Sequence, residues 1–260
     1  MRAEDYPYFD APFCAFAHRG GPLLPGNVGR ENSLHAFGQA VGLGYRYLET
    51  DVHVTADGVL IAFHDDRLDR ATDGTGLIAE LPWSEVQQAR IGGLEPIPTM
   101  DEVFETFPDS RFNIDLKAAG AVAPLADAIA SHRAQNRVCV TSFGPDRLNA
   151  FRRRMGTQVA TGTSRTEVAW TRFVPFLPRL RPAPGVVLQV PVTSTIAGRE
   201  VRIVTPGFIR TAHDTGRQVH VWTIDEPHQM HALLDMGVDG LISDRIDVLR
   251  EVLVERGLWW

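Results

Sequence analysis

Cysteine is scarce: only Cys14 and Cys139 occur in 260 residues. That excludes a disulfide framework and a thiolate metal cluster, whose ligands recur at close, repeated spacing. Each cysteine lies inside an apolar run, where a free thiol behaves as a small hydrophobe, so both are expected to be reduced and buried. No stretch approaches the ~20 apolar residues that cross a bilayer, and MRAEDYPYFDAPF lacks the basic-then-apolar order of a signal peptide. A soluble, cytoplasmic chain with no stable membrane anchor is expected. Excess positive charge is also lacking: the net charge is −6, so the chain as a whole offers no basic field. A nucleic-acid partner, which needs clustered Lys and Arg, is therefore not expected. No Ser/Gly linker, charge run or low-complexity segment divides the chain. Residues 1–260 therefore read as one domain, close to the ~250 residues of an α/β barrel. Nothing in the pattern assigns an oligomeric state.

What the chain does contain is a rhythm. Eight short apolar or alternating runs recur between amphipathic stretches: FCAFAH (13–18), YLETDVHV (47–54), RFNIDLK (111–117), RVCVTSF (137–143), TQVATGT (157–163), GVVLQVP (185–191), QVHVWTI (218–224) and DGLISD (239–244). Helix signals lie between them. Leu34, Phe37 and Val41 share a face, as do Val122, Leu125, Ala126 and Ile129, and Ile246, Leu249 and Leu253. Thr99 with Glu102 makes a capping box before Met100, Val103 and Phe104. Strands alternating with helices predict a closed (β/α)8 TIM barrel; no glycine-rich dinucleotide turn follows the first strand to favour an open doubly wound sheet. Between the second and third strands the chain carries an insertion, roughly 57–97. It begins with an Asp57–Gly58 turn and an extended LIAFHD (60–65), which predicts a hairpin arm at the barrel rim.

Strand side chains alternate between faces, so Glu49 and Asp51 point one way while Leu48, Thr50 and Val52 point the other. The apolar side should meet the helices. Two carboxylates are then left inside, near the C-terminal end of the second strand, where barrel active sites are built. The third strand repeats the layout: Phe112, Ile114 and Leu116 outward, Asn113, Asp115 and Lys117 inward. Glu49, Asp51 and Asp115 converging on one mouth would repel one another unless a cation or proton relieved them, and their hard oxygens suit Mg²⁺ or Ca²⁺. His18 ends the first strand and His64 ends the arm, so both reach the same rim. Two imidazoles on opposite sides of a phosphorus supply a base and an acid near neutral pH. Arg19 and Lys117 add positive charge for phosphodiester oxygens, compatible with ion pairs to the nearby acids. Gly20 and Gly21 are expected to let the backbone turn closely past the substrate. His35, His132, His213, His228 and His231 read as surface or satisfied residues; His53 shares a face with Asp51 and is given no role.

Taken in order, HRG (18–20), ENSLHAF (31–37), ETDVHVTADG (49–58), FHDDRLDRATDGTG (63–76), IDLK (114–117), SF (142–143), VWTID (221–225) and GVDGLISDR (237–245) resemble the glycerophosphodiester phosphodiesterase family. The blocks cover most of the chain. The resemblance implies a TIM barrel that hydrolyses glycerophosphodiesters to glycerol 3-phosphate and an alcohol with a divalent metal. It makes Glu49, Asp51 and Asp115 the metal ligands and His18 and His64 the catalytic pair. Arg19 and Lys117 become the phosphate contacts, and Trp222 an aromatic lining the substrate pocket. The chain departs from the family in carrying Arg30 in place of a proline before Glu31, after the long PLLPGNVG loop, and Asp115 in place of a glutamate.

The expected partner is thus a small-molecule glycerophosphodiester. The first rival is a relative acting on lipids, of the lysophospholipase D or sphingomyelinase D kind. It should need an apolar entrance for an acyl chain, for which FVPFLPRLRP (173–182) is the sequence candidate against ordinary helix and loop packing. The second is a non-catalytic barrel that binds phosphodiesters. The terminal Trp259 and Trp260 are expected to pack on their own barrel.

Overall fold

The computed structural model describes residues 1–180 and 184–259. Thirteen strands occur in them: β1 (Cys14–His18), β2 (Tyr47–Val54), β3 (Leu60–Ala62), β4 (Arg90–Ile91), β5 (Glu95–Pro96), β6 (Arg111–Leu116), β7 (Val138–Thr141), β8 (Ala160–Thr161), β9 (Val187–Val190), β10 (Thr193–Ile196), β11 (Arg199–Arg202), β12 (Gln218–Val221) and β13 (Gly240–Ser243). Eight of them form a parallel ring in the order β8, β7, β6, β2, β1, β13, β12, β9. A parallel bridge between Gly162 and Val187 draws its two ends together, with Thr163 N–H donating to the Val187 carbonyl at 2.9 Å. These eight strands fall within the eight runs of the sequence, and the fold is a nearly closed (β/α)8 barrel.

The helices that return the chain are α1 (Leu34–Gly42), α2 (Trp83–Val86), α3 (Met100–Thr106), α4 (Val122–Ser131), α5 (Pro145–Met155), α6 (Arg165–Phe173), α7 (Leu177–Leu180), α8 (Pro206–Asp214), α9 (Pro227–Met236) and α10 (Ile246–Glu255). Thr99 and Glu102 cap α3 reciprocally, as the sequence predicts. Ser33 caps α1, accepting from Ala36 N–H at 3.1 Å.

Alternation sorts the side chains. Leu48, Val52, Phe112, Ile114 and Leu116 are fully buried between ring and helices. Inward-facing Cys14, Phe16, Tyr47 and Cys139 fill the lower barrel, and both cysteines are free thiols. Two single helical turns, Ala3–Asp5 and Pro7–Phe9, close the bottom by packing Tyr6, Tyr8 and Phe9 against them. The Tyr47 hydroxyl donates to the Tyr8 carbonyl at 2.6 Å. Above this layer, Asn113 and Gln189 exchange hydrogen bonds at 3.1 and 2.8 Å. His220 lies beside them, fully buried and pushed down to about 3 by burial, so it is neutral near pH 7.

The insertion behaves as a small body of its own. β3 pairs antiparallel with β2, as the predicted arm should. Ile61, Phe63, Leu68, Ile78, Val86, Ala89, Ile91 and Ile97 make a separate apolar cluster under it. That cluster holds the arm firmly over the barrel mouth, which matters because His64 and Asp65 end it. Trp259 packs edge-on against Tyr45 with centroids 4.9 Å apart; Trp260 lies outside the described residues.

Candidate active site

The register of the ring decides which side chains meet. His18 on β1 lies beside Glu49 on β2, and Asp51 on β2 lies beside Asp115 on β6. Because successive residues point to opposite faces, a one-residue slip would turn these acids toward the helices. In this register His18, Arg19, Glu49, Asp51, His64, Asp115, Lys117 and Trp222 line one cavity of about 190 Å³ at the C-terminal mouth. All eight residues singled out in the sequence are therefore brought together.

Each histidine rests on a carboxylate. His18 Nδ1 donates to Asp244 Oδ1 at 2.6 Å, and His64 Nδ1 donates to Asp65 Oδ1 at 2.6 Å. A carboxylate can only accept, so the proton is fixed on Nδ1 and Nε2 is left for the substrate. Burial opposes the charge on His18, but Glu49 and the hydrogen bond and charge of Asp244 outweigh it and hold its pKa above the usual imidazole value. Asp244 is fastened in turn: Asp225 Oδ1 accepts from Ser243 Oγ at 2.9 Å and from Asp244 N–H at 2.8 Å.

The acids are deeply buried: Glu49 is 6% exposed, Asp51 2% and Asp115 5%. Lys117 Nζ bridges Asp51 and Asp115 at 2.8 and 2.7 Å. Arg19 Nε stands 3.3 Å from Asp51 Oδ2. Burial raises the Asp51 pKa, but Lys117 and Arg19 more than reverse it and hold the carboxyl below its usual range. Burial, with Asp51 close by, pushes Glu49 up to about 7, and burial also raises Asp115. Lys117 loses charge stability to burial, yet its two aspartates keep its pKa above the usual value.

Among the described residues, no group of three or more His, Cys, Asp and Glu side chains is disposed to hold a metal ion. Lys117 instead stands between Asp51 and Asp115. The donor set nonetheless fits a hard divalent cation. Asp51 Oδ2 and Asp115 Oδ1 are buried with no hydrogen-bond partner, and burial together with Asp51 raises Glu49 despite the nearby cations.

Arg19, Gly20 and Gly21 all adopt positive φ, at 49°, 84° and 82°. The glycines let the backbone turn here, as the sequence predicts, and the turn also brings the chain hard against two helices. A Cβ on Gly20 would lie 2.7 Å from Ala36 Cβ, and one on Gly21 would lie 2.6 Å from Ile246 side-chain carbons. They make room for α1 and α10, and the turn they permit aims Arg19 into the cavity. Glu31 accepts from Arg19 Nη1 at 3.2 Å and from Arg70 Nη2 at 2.6 Å, while Arg70 also pairs with Asp65. The rim around Glu31 thus links the turn to the arm. Asn32 closes it by accepting from Thr50 Oγ1 at 2.7 Å.

Sequence reasoning did not assign Asp65, Asp244, Arg70 or the Gln189–His220 layer. Alternation through Gly240, Ile242 and Asp244 places Asp244 inward and could have found it; Asp65 lies past the strand, where no alternation applies. His53, given no role, donates from Nε2 to the His64 carbonyl at 3.1 Å. Arg111, at the start of β6, pairs with Asp10 at 2.5 Å. Trp222 stands edge-on to Phe143, centroids 5.7 Å apart, forming one wall.

With that geometry in hand, likeness to known proteins is specific. The profile of the Glycerophosphoryl diester phosphodiesterase family matches residues 18–248. The chain is 39% identical over 265 residues to a protein of Mycobacterium tuberculosis (strain ATCC 25618 / H37Rv) named "Probable glycerophosphodiester phosphodiesterase 2", covering 96% of this chain and 97% of that one. Its fold matches an Oleispira antarctica phosphodiesterase solved with the product sn-glycerol-3-phosphate, at TM-score 0.79 and 24% identity over 95% of this chain and 99% of that one. It also matches a glycerophosphodiester phosphodiesterase from Parabacteroides distasonis ATCC 8503, at TM-score 0.78 and 20% identity over 95% and 99%. The chain belongs, as an enzyme, to the glycerophosphoryl diester phosphodiesterase family.

Proposed function

We propose that this chain hydrolyses glycerophosphodiesters to glycerol 3-phosphate and an alcohol, using His18 and His64 as the proton-transfer pair and a divalent cation held by Glu49, Asp51 and Asp115. The observation that carries the reading is the single cavity faced by two carboxylate-backed imidazoles, three buried acids and two cations. When bound, Mg²⁺ or Ca²⁺ would offset the acids and act as a Lewis acid toward a phosphate oxygen.

The chain's own residues do the rest. Nε2 of one imidazole takes the proton from the attacking oxygen, either that of water or that of the substrate's glycerol hydroxyl, the latter giving a cyclic phosphate that water then opens to glycerol 3-phosphate. The other imidazolium gives its proton to the alcohol oxygen as the P–O bond breaks. Arg19 and Lys117 hold non-bridging oxygens and favour the charge that develops on them. Asp65 and Asp244 keep both rings in the tautomer that presents Nε2. Trp222 and Phe143 bound the site on one side and limit water access from that wall.

The test is release of glycerol 3-phosphate from glycerophosphocholine, with Mg²⁺ or Ca²⁺ and then with a chelator. Release that needs the cation and disappears in Asp51→Asn supports the reading. Binding of the diester without release would favour the non-catalytic barrel, and undiminished activity in Asp51→Asn would refute the assigned roles.

A further inference from the structure

Four polar side chains run through the barrel lumen beneath the acids, and the proton transfers above leave them without a task. Asn113 of β6 and Gln189 of β9 both line the polar cavity. Asn113 Nδ2 donates to Gln189 Oε1 at 3.1 Å, and Gln189 Nε2 donates back to Asn113 Oδ1 at 2.8 Å. The pair is a crossbar at the closed end of the cavity, above the lumen packing of Cys14, Phe16, Tyr47 and Cys139. Gln189 Nε2 gives its other hydrogen to His220 Nδ1 at 3.5 Å, and His220 Nε2 donates to Gln218 Oε1 at 2.9 Å.

An amide nitrogen carries two hydrogens. Both are used on Gln189, but Asn113 uses one. Asn113 is 2% exposed, lies beside Glu49 in the register, and shares its face with Asp115 two residues on. Among the described residues its second hydrogen has no protein partner, and the space left to it is the cavity it lines. A buried donor without an acceptor is costly unless a ligand or water completes it.

Direction matters as much as presence. The oxygen and nitrogen of an amide are nearly the same size, so the reciprocal pair forms equally well with both amides turned over. It would then present an oxygen where the Asn113 nitrogen now stands. His220 removes that freedom, because a turned Gln189 would set its oxygen against the bare Nδ1. The imidazole cannot move its proton, which Nε2 needs for Gln218, and burial pushes its pKa down to about 3, so it takes no second proton near pH 7.

We propose that Asn113 contacts the substrate, giving its second amide hydrogen to an oxygen of the glycerophosphoryl half, and that His220 is a positioning residue that sets the direction of this amide through Gln189. This rests on the phosphodiesterase reading and adds a neutral donor to its site. The glycerophosphoryl half is the part common to all substrates, and a closed floor suits a group of fixed size. The alcohol half varies and needs the open side, where Asp115, Phe143, Gln189 and Trp222 are shared with a larger cavity of about 430 Å³. FVPFLPRLRP lends Phe173 to that cavity; residues 181–182 of the stretch lie outside the described residues.

Binding of glycerol 3-phosphate to the full chain with Mg²⁺ tests this without turnover. In nitrogen–proton correlation spectra of the wild type, one side-chain amide hydrogen of Asn113 should shift on binding while the one held by Gln189 stays. By calorimetry, Asn113→Leu, close in size but without the donor, should bind roughly 10- to 100-fold more weakly, as for a lost hydrogen bond to a charged partner. His220→Phe frees Gln189 to turn and should weaken binding at least roughly fivefold. His220→Asn, whose Oδ1 replaces Nδ1 as acceptor, should restore most of that loss, which a merely structural role would not. In Asn113→Leu, kcat/KM should fall by one common factor for glycerophosphocholine and glycerophosphoethanolamine, because the contact is to the half they share. Wild-type affinity in Asn113→Leu, a factor that differs between head groups, or an Asn113 amide unmoved by glycerol 3-phosphate would overturn the contact. Equal losses in His220→Phe and His220→Asn would overturn the positioning. A protein that binds through Asn113 yet releases no glycerol 3-phosphate would sink the hydrolysis reading and leave the contact standing; turnover with an unmoved amide would do the reverse.

Discussion

Raising the pH from about 5 to about 8 in the presence of a chelator should destabilise the wild type relative to Glu49→Gln. Burial and the neighbouring Asp51 push the Glu49 carboxyl from 4.5 up to about 7. Over that window the folded state keeps a proton that the unfolded state has released. A group raised in this way loses stability for the fold as pH climbs from the unfolded to the folded pKa, and the loss is complete above about 7. The span corresponds to about 3 kcal/mol, and at roughly 2–4 °C per kcal/mol for a chain of this size to a difference on the order of 6–12 °C in Tm. His18 and Asp115 are raised as well and act in the same direction, at the alkaline and acidic edges of the window. Asp51 is lowered and acts oppositely, but only below its ordinary range; His53 and His220, lowered by burial, also act oppositely as pH climbs through the ordinary imidazole value. These groups are common to both proteins, so the wild-type Tm should fall with pH relative to that of Glu49→Gln. Added Mg²⁺ should flatten the wild-type slope, because a bound cation favours ionised Glu49. Equal slopes in the two proteins would refute the assignment of the strain to Glu49.

Two further outcomes follow from the same contacts. Asp65→Asn and Asp244→Asn should each lower kcat at least roughly tenfold while moving KM little, and shift the pH profile of kcat. A purely structural role would lower Tm without moving that profile. Gly20→Ala should cost about 1–3 kcal/mol in denaturant unfolding, since its φ is 84° and the new Cβ would meet Ala36 at 2.7 Å.

The barrel was legible because parallel strands buried on both sides are written as short apolar runs, and the helices between them keep their own period. Glu49, Asp51, Asp115 and Lys117 were legible for a related reason: alternation makes face a property of position alone, and two neighbouring strands carried the same layout. What escaped has no period to betray it. Tyr6, Tyr8 and Phe9 close the barrel floor through single helical turns too short to show a repeating face. Asp65 follows the arm and meets His64 through loop geometry, and Arg70 reaches Glu31 across 39 residues of separation. Gly20 and Gly21 were recognised as a turn, but sequence cannot show that helices crowd them. The Asn113–Gln189 crossbar needs β6 and β9 to meet across the lumen, a tertiary event without local signature.

The most direct test is phosphorus NMR of glycerophosphocholine incubated with the wild type, His18→Ala and His64→Ala in the presence of Mg²⁺ or Ca²⁺. Conversion to glycerol 3-phosphate by the wild type, with rates on the order of 10²- to 10⁴-fold lower in each variant at unchanged Tm, is the predicted result. Wild-type rates in either variant would contradict the proton-transfer pair on which the mechanism stands.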